Sequence, residues 1–325
     1  MERQFATVQS KNPPIRPELA RLQNNIELVL KGKSAIVQNA IICILARGHL
    51  LIEDVPGVGK TTLAQCIARS ISLSFSRIQF TSDMLPSDIL GVTMYNQQSR
   101  EFEFKPGPLF ANIVLADELN RTTPKTQSAL LEAMNSSQVS TEKQTLDLPQ
   151  PFMVLATQNP IEFHGTFPLP KSQMDRFLMR IHLGYPALDD EITVLKEQKV
   201  VGNLEAVQSV ISSEEMLRMQ HEVDQVKIDD SLLEYLARIV SATRATQAII
   251  LGASTRGALA LRRAAQAKAY FEDRTYCVPD DIKSMVTPVL AHRVQIQEGF
   301  ESTGFIHEEE HRILSQMLAE VDVPL

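Results

Sequence analysis

The sequence predicts an α/β core built on a parallel sheet, followed by a smaller all-helical domain. Three observations carry this. Short apolar runs alternate with helical patterns up to residue 185, as strands joined by crossover helices do. After Gly184-Tyr185-Pro186 no clear buried strand follows, and helical periodicity takes over. One apolar run also passes through a glycine-containing loop directly into a helix start, a strand–loop–helix unit typical of open parallel sheets.

Taken in order, residues 1–16 read as a loose arm, with Pro13, Pro14 and Pro17 in a polar setting. Leu19, Leu22, Ile26, Val29 and Leu30 recur at helical spacing, and Gly32 ends that helix. A second helix is expected over Ser34–Arg47, stopped by Gly48. The expected strands are His49–Ile52, Arg77–Phe80, Ile113–Ala116, Phe152–Ala156 and Met179–Leu183. Helical patterns fall at Lys60–Ile71 and Pro124–Met134, and the polar, β-prone Val139–Leu148 predicts a hairpin before the fourth strand. The division falls near 185, giving domains 1–185 and 186–325. In the second, helices are expected near 189–200, 213–225, 230–246, 255–271, 279–291 and 307–319.

Composition narrows the class. Among 325 residues, 44% are apolar and 22% charged, which suits a large globular core. The longest apolar run, Ala40–Ala46, is far short of the roughly 20 residues that span a bilayer. Residues 1–17 contain no apolar stretch of the kind a secretory signal needs. Cys43, Cys66 and Cys277 form no CxxC pair, so a reduced, cytoplasmic setting is expected. The net charge of −7 is uneven: residues 1–185 carry 18 Lys+Arg and 16 Asp+Glu, residues 186–325 carry 14 and 23. An acidic second half argues against nonspecific binding to nucleic acid or an anionic membrane.

The chemistry concentrates at strand ends. In Asp54-Val55-Pro56-Gly57-Val58-Gly59-Lys60-Thr61-Thr62, two glycines let backbone amides turn inward at a helix N-terminus, forming an anion cradle. Lys60 can then reach the β- and γ-phosphates, and the Thr61 hydroxyl can ligate Mg²⁺. Asp54 stands where the strict GxxxxGK[ST] pattern has glycine. The run Ile113–Ala116 ends in Asp117 and Glu118. Asp117 is placed to hold Mg²⁺ directly or through water, and Glu118 to orient or deprotonate an attacking water. Phe152–Ala156 ends in Thr157, Gln158 and Asn159, and either Thr157 or Asn159 can meet a γ-phosphate or that water. Arg176 precedes the last strand and reads as an arginine finger for a neighbouring subunit or as half of a surface pair with Asp175. Arg256 opens a helix behind Ser254, its expected N-cap, and can couple the helical domain to nucleotide state.

Together these segments resemble a MoxR-type AAA+ ATPase, over roughly residues 17–295. The loop looks like the family's Walker A in its form with Asp54, and Asp117-Glu118 matches Walker B. Asn159 matches sensor 1, Arg176 the arginine finger, Arg256 sensor 2, and Phe80–Phe110 the helix-2 insert. Departures are Met174 for Leu, Lys171 for Glu near the expected subunit interface, and Thr255 for Pro before the sensor arginine. The resemblance implies a P-loop core with a helical lid, ATP and Mg²⁺ as ligands, and a homo-oligomeric ring, a hexamer in the family. It also implies chaperone-like action on partner proteins, some carrying von Willebrand A domains.

Two other readings compete: a nucleotide-dependent interaction module with little turnover, and a chelatase or nucleic-acid motor of a related clade. Glu118 and Arg176 speak against the first, and the acidic second half against a nucleic-acid motor. His307-Glu308-Glu309-Glu310-His311 formally fits HExxH, but Leu314 and Leu318 beside it indicate an apolar docking helix rather than a metal site. Arg262, Arg263 and Lys268 are expected to pair with acidic neighbours, and the cysteines to serve as small apolar residues. Tyr95, Phe102 and Phe104 in the insert are expected to be exposed.

Overall fold

A computed structural model describes residues 14–140, 145–159, 165–185, 191–192, 204–297 and 306–324. The chain opens with α1 (Pro17–Glu27) and α2 (Ser34–Leu45), then β1 (Leu50–Glu53), α3 (Lys60–Ser70) and β2 (Phe75–Gln79). Next come α4 (Pro86–Leu90), a hairpin of β3 (Gly91–Asn96) and β4 (Glu101–Pro106), β5 (Ile113–Asp117) and α5 (Pro124–Ser136). A second hairpin, β6 (Gln138–Ser140) with β7 (Thr145–Asp147), precedes β8 (Met153–Gln158), α6 (Lys171–Met174) and β9 (Met179–Ile181). The second half holds α7 (Ser213–Asp224), α8 (Asp230–Ala245), β10 (Ile249–Leu251), α9 (Thr255–Phe271), α10 (Pro279–Leu290), β11 (Gln295–Ile296) and α11 (Ile306–Ala319). The helix expected near 189–200 lies mostly outside the described residues.

All five expected core strands form, in one parallel sheet ordered β2-β5-β8-β1-β9. Burial on both faces explains why β1, β5 and β8 read as continuous apolar runs. Leu50, Ile52, Ile113, Leu115, Met153 and Leu155 face one apolar cluster with α1, α2 and α3. Leu51, Val114, Ala116, Val154 and Ala156 face the other, with α5. Alternate residues of each strand therefore serve opposite layers, as the two-residue pleat requires.

The first cluster continues without a break from α1 and α2 into α7, α8, α9 and α10. The end of the expected loose arm is fastened to this helical half. The Arg16 amide donates to the Phe271 carbonyl at 3.0 Å, and its guanidinium pairs with Glu222 at 3.1 Å. Serines at helix starts act as caps: Ser212 and Glu215 form a reciprocal pair at α7, and Ser254 accepts from the Gly257 amide at α9, as expected. Among the described residues no helix is long and apolar enough to cross a membrane.

In the insert, Tyr95 and Phe102 are exposed and meet edge to face, 5.4 Å between centroids. Phe104 is half-buried instead, packed on Phe110 at 5.8 Å. Lys171 was expected near a subunit interface. It is drawn inward, where its ammonium donates to the Val294 carbonyl at 2.9 Å.

Candidate active site

Strand register assembles the site. Gln79 lies opposite Asp117, and Glu53 opposite Gln158, so the carboxyl edge of the sheet collects polar side chains from adjacent strands. Beside this edge the glycine loop turns into α3. Gly57 and Gly59 have φ of +87° and +100°, left-handed values that favour glycine, and Gly59 is the residue that caps α3. A cavity of about 320 Å³ is lined by Gly57, Gly59, Lys60, Thr61, Asp117 and Asn159, among others.

Lys60 donates to the Asp54 carbonyl at 2.7 Å, which folds its ammonium back over the loop. Burial pulls its pKa below the ordinary lysine value, and Asp117, Asp54 and Glu118 oppose that shift. Asp117 is gripped from both neighbouring strands. The Thr157 hydroxyl donates to its Oδ1 at 2.6 Å, and Arg77 donates to its Oδ2 through Nη2 at 2.6 Å and Nε at 3.2 Å. Glu118 adopts a left-handed backbone, φ +58°, which is uncommon for a residue with a Cβ. Its amide donates to the Thr157 hydroxyl at 2.8 Å, and its carboxylate accepts from Gln79 at 2.8 Å and from Arg121 at 3.1 Å. One buried hydroxyl thus fixes both acidic residues.

The Thr61 hydroxyl and the Asp117 carboxylate line the same cavity. They are hard oxygen donors with a single carboxylate between them, the set Mg²⁺ takes when phosphates and water complete its shell. The residues fit the ion.

The two predicted arginines lie elsewhere. Arg176 and Arg256 line a second cavity of about 410 Å³ that shares no residue with the first. Arg176 donates to the Leu131 carbonyl at 3.0 Å, and Arg256 sits 3.9 Å from Asp175. Arg47, Arg263 and Arg293 line the same space. Arg293 is buried and takes Asp175 at 2.7 Å. Val55 and Val58 lie within the loop, Pro56 and Thr62 line the first cavity, and the Asp54 side chain turns away toward Gly184.

Sequence reasoning missed Arg77 and Gln79. They alternate on β2 beside the strand carrying Asp117, and that spacing was the available signal. It also missed a buried charge cluster under the loop. Arg180 on β9 pairs with Glu53 at 3.0 Å and with Glu310 on α11, and all three side chains are buried. Glu310 is the fourth residue of the HExxH-like run, so that run serves an ion pair. Lys268 takes Glu272 at 2.6 Å, as expected. All three cysteines are buried, and burial pushes the Cys66 and Cys277 thiols up to about 12.

Comparison with known proteins matches residues 49–179 to the ATPase family associated with various cellular activities (AAA), and residues 241–316 to the AAA lid domain. Chaperone MoxR1 of Mycobacterium tuberculosis is 38% identical over 85% of this chain and 75% of its own. The chain belongs to the MoxR family of AAA+ ATPases. Protein YeaC of Bacillus subtilis is 45% identical over 96% of both chains. The crystal structure of a candidate ATPase from Cytophaga hutchinsonii superposes with a TM-score of 0.85, at 39% identity and 95% coverage of both chains. This MoxR-family chain is accordingly an ATP-hydrolysing enzyme with an α/β core and a helical lid.

Proposed function

We propose that this MoxR-family ATPase works as a ring of identical subunits that remodels partner proteins, with each ATP site completed by the neighbouring subunit. One observation carries the reading. Lys60, Thr61, Asp117, Glu118 and Asn159 border one cavity, while Arg176 and Arg256 border another. A chain whose arginines lie apart from its own phosphate loop can deliver them to a second copy. The crowding of guanidinium groups around Asp175 suits an anion presented from outside, such as a neighbour's γ-phosphate.

In this reading the backbone amides from Gly57 to Thr62 cradle the phosphates. Lys60 moves from the Asp54 carbonyl to the β- and γ-phosphates. Thr61 and Asp117 hold Mg²⁺, which when bound neutralises charge on those phosphates. Glu118 takes a proton from the attacking water, and Asn159 positions that water. Arg176 of the next subunit stabilises charge in the transition state, and Arg256 couples the lid to that event. The core, 1–185, and the lid, 186–325, shift against each other as the cycle proceeds. The name of the Mycobacterium relative supports a chaperone role. Partners with von Willebrand A domains, a hexameric ring and a cytoplasmic location belong to the same proposal.

Phosphate release measured against protein concentration tests it. Specific activity should rise with concentration as rings assemble, and Arg176→Ala should lower turnover by about 10³-fold while nucleotide still binds. Specific activity independent of concentration, with normal turnover in Arg176→Ala, would contradict the shared site.

A further inference from the structure

The segment Leu183–Tyr185 follows β9 and leads toward the helical half. It is held from two sides. From the loop side, the Asp54 Oδ2 accepts from the Gly184 amide at 2.7 Å. From the other side, the Lys33 ammonium, just before α2, donates to the carbonyls of Leu183 at 2.7 Å, Gly184 at 3.3 Å and Tyr185 at 2.7 Å. Gly184 itself has φ +62°, a conformation that favours glycine. A short stretch of backbone is thus clamped between an anion and a cation.

Asp54 also belongs to the phosphate loop. Its second carboxylate oxygen accepts from the Val55 amide at 3.0 Å, and its carbonyl accepts from Lys60 at 2.7 Å. One residue therefore joins the lysine that would meet phosphate to the strand exit that leads to the lid. A glycine there, as in the strict loop pattern, would have no side chain to reach Gly184.

We propose that Asp54 is a positioning residue that transmits occupancy of the phosphate loop to the core–lid connection, with Lys33 as the opposing clamp. The inference rests on the reading that ATP binds at Lys60. Phosphate oxygens compete with the Asp54 carbonyl for the Lys60 ammonium. As Lys60 turns toward phosphate, the peptide carrying Asp54 loses a partner, and its side chain carries that change to Gly184. A ligand shifts a conformational equilibrium only by interacting differently with its two states. Here the Asp54 bridge supplies that difference.

Energy transfer between dyes on cysteines introduced at Ser128 in α5 and Glu234 in α8, both exposed, tests this in the full chain. The three native cysteines are buried. Labelled chain is diluted into unlabelled chain, and a non-hydrolysable ATP analogue is added with Mg²⁺. The otherwise wild-type chain should bind and change its transfer. Asp54→Gly should still bind yet lose most of the change, since the amides from Gly57 to Thr62 are kept. Lys33→Met, which leaves the loop untouched, should also lose most of the change at unaltered affinity. Should Asp54→Gly bind poorly, Lys33→Met alone decides, and a full change in it overturns the proposal. A full change in Asp54→Gly, or no change on binding to the chain carrying only the dyes, overturns it as well. Failure of that chain to bind nucleotide would instead sink the ATP-site reading.

Discussion

The Thr157 hydroxyl donates to the Asp117 carboxylate and accepts from the Glu118 amide, so a single side chain orients the residue that suits a metal and the residue that suits water. Its position on β8, adjacent to β5, makes this possible, and the buried setting raises the cost of leaving either bond unmade. His49 shows the same economy on the far side of the sheet. Its Nδ1 accepts from the Val154 amide at 3.0 Å, so Nε2 carries the proton and donates to the Met134 carbonyl at 2.9 Å. Burial lowers its pKa from 6.5 to about 4, against the opposing pull of the Met134 bond. The folded value lies below the unfolded one, so this contribution is fully present above pH 6.5. It is lost as pH falls from 6.5 toward 4, by about 3 kcal/mol in total. The thermal midpoint should therefore drop across that window, with a shallower drop in His49→Gln. The buried His292 shifts in the same direction and leaves part of the slope. Equal slopes in the two proteins would remove His49 from the account.

At the scale of elements, α11 is tied to the sheet edge beneath the loop by the Glu310–Arg180–Glu53 cluster. Removing Arg180 leaves two buried carboxylates without their shared guanidinium, and breaking a buried pair in this way typically costs about 3–5 kcal/mol. Arg180→Met should destabilise the chain by that order in denaturant titration, and adding Glu53→Gln with Glu310→Gln to it should recover part of the loss. A loss under about 1 kcal/mol in the single variant would show that the pair is not closed in solution. The elements were not equally legible in the sequence. Leu50–Ile52, Ile113–Ala116 and Met153–Ala156 announce themselves because both faces of a parallel strand are buried. The β3–β4 hairpin does not, because Val92, Met94, Tyr95 and Phe102 are exposed and no core enforces their alternation. Its base depends instead on Gly91, φ +110°, where a Cβ would lie only 2.7 Å from the Gly107 nitrogen. Local pattern could not reveal the pairing of Glu310 with Arg180, which sits 130 residues away.

For the whole molecule, the loop, the Asp117-Glu118 pair and Asn159 were legible as motifs, and the sheet register brings them into one cavity. The position of Arg176 and Arg256 relative to that cavity was not legible, because it depends on how α9 packs against α2, α7, α8 and α10 rather than on spacing. Finding the arginines together, apart from the loop, is what makes a shared site the central claim. Mixing two inactive variants tests it most directly. Glu118→Gln keeps its arginines but lacks the residue that would activate water, and Arg176→Ala keeps Glu118 but lacks the finger. Each alone should show little ATP turnover. Mixed at equal concentration under assembling conditions, an Arg176→Ala subunit beside a Glu118→Gln neighbour regains a complete site, so phosphate release should rise well above the sum of the two. A rate no greater than that sum, across ratios and concentrations that allow exchange, would contradict the account.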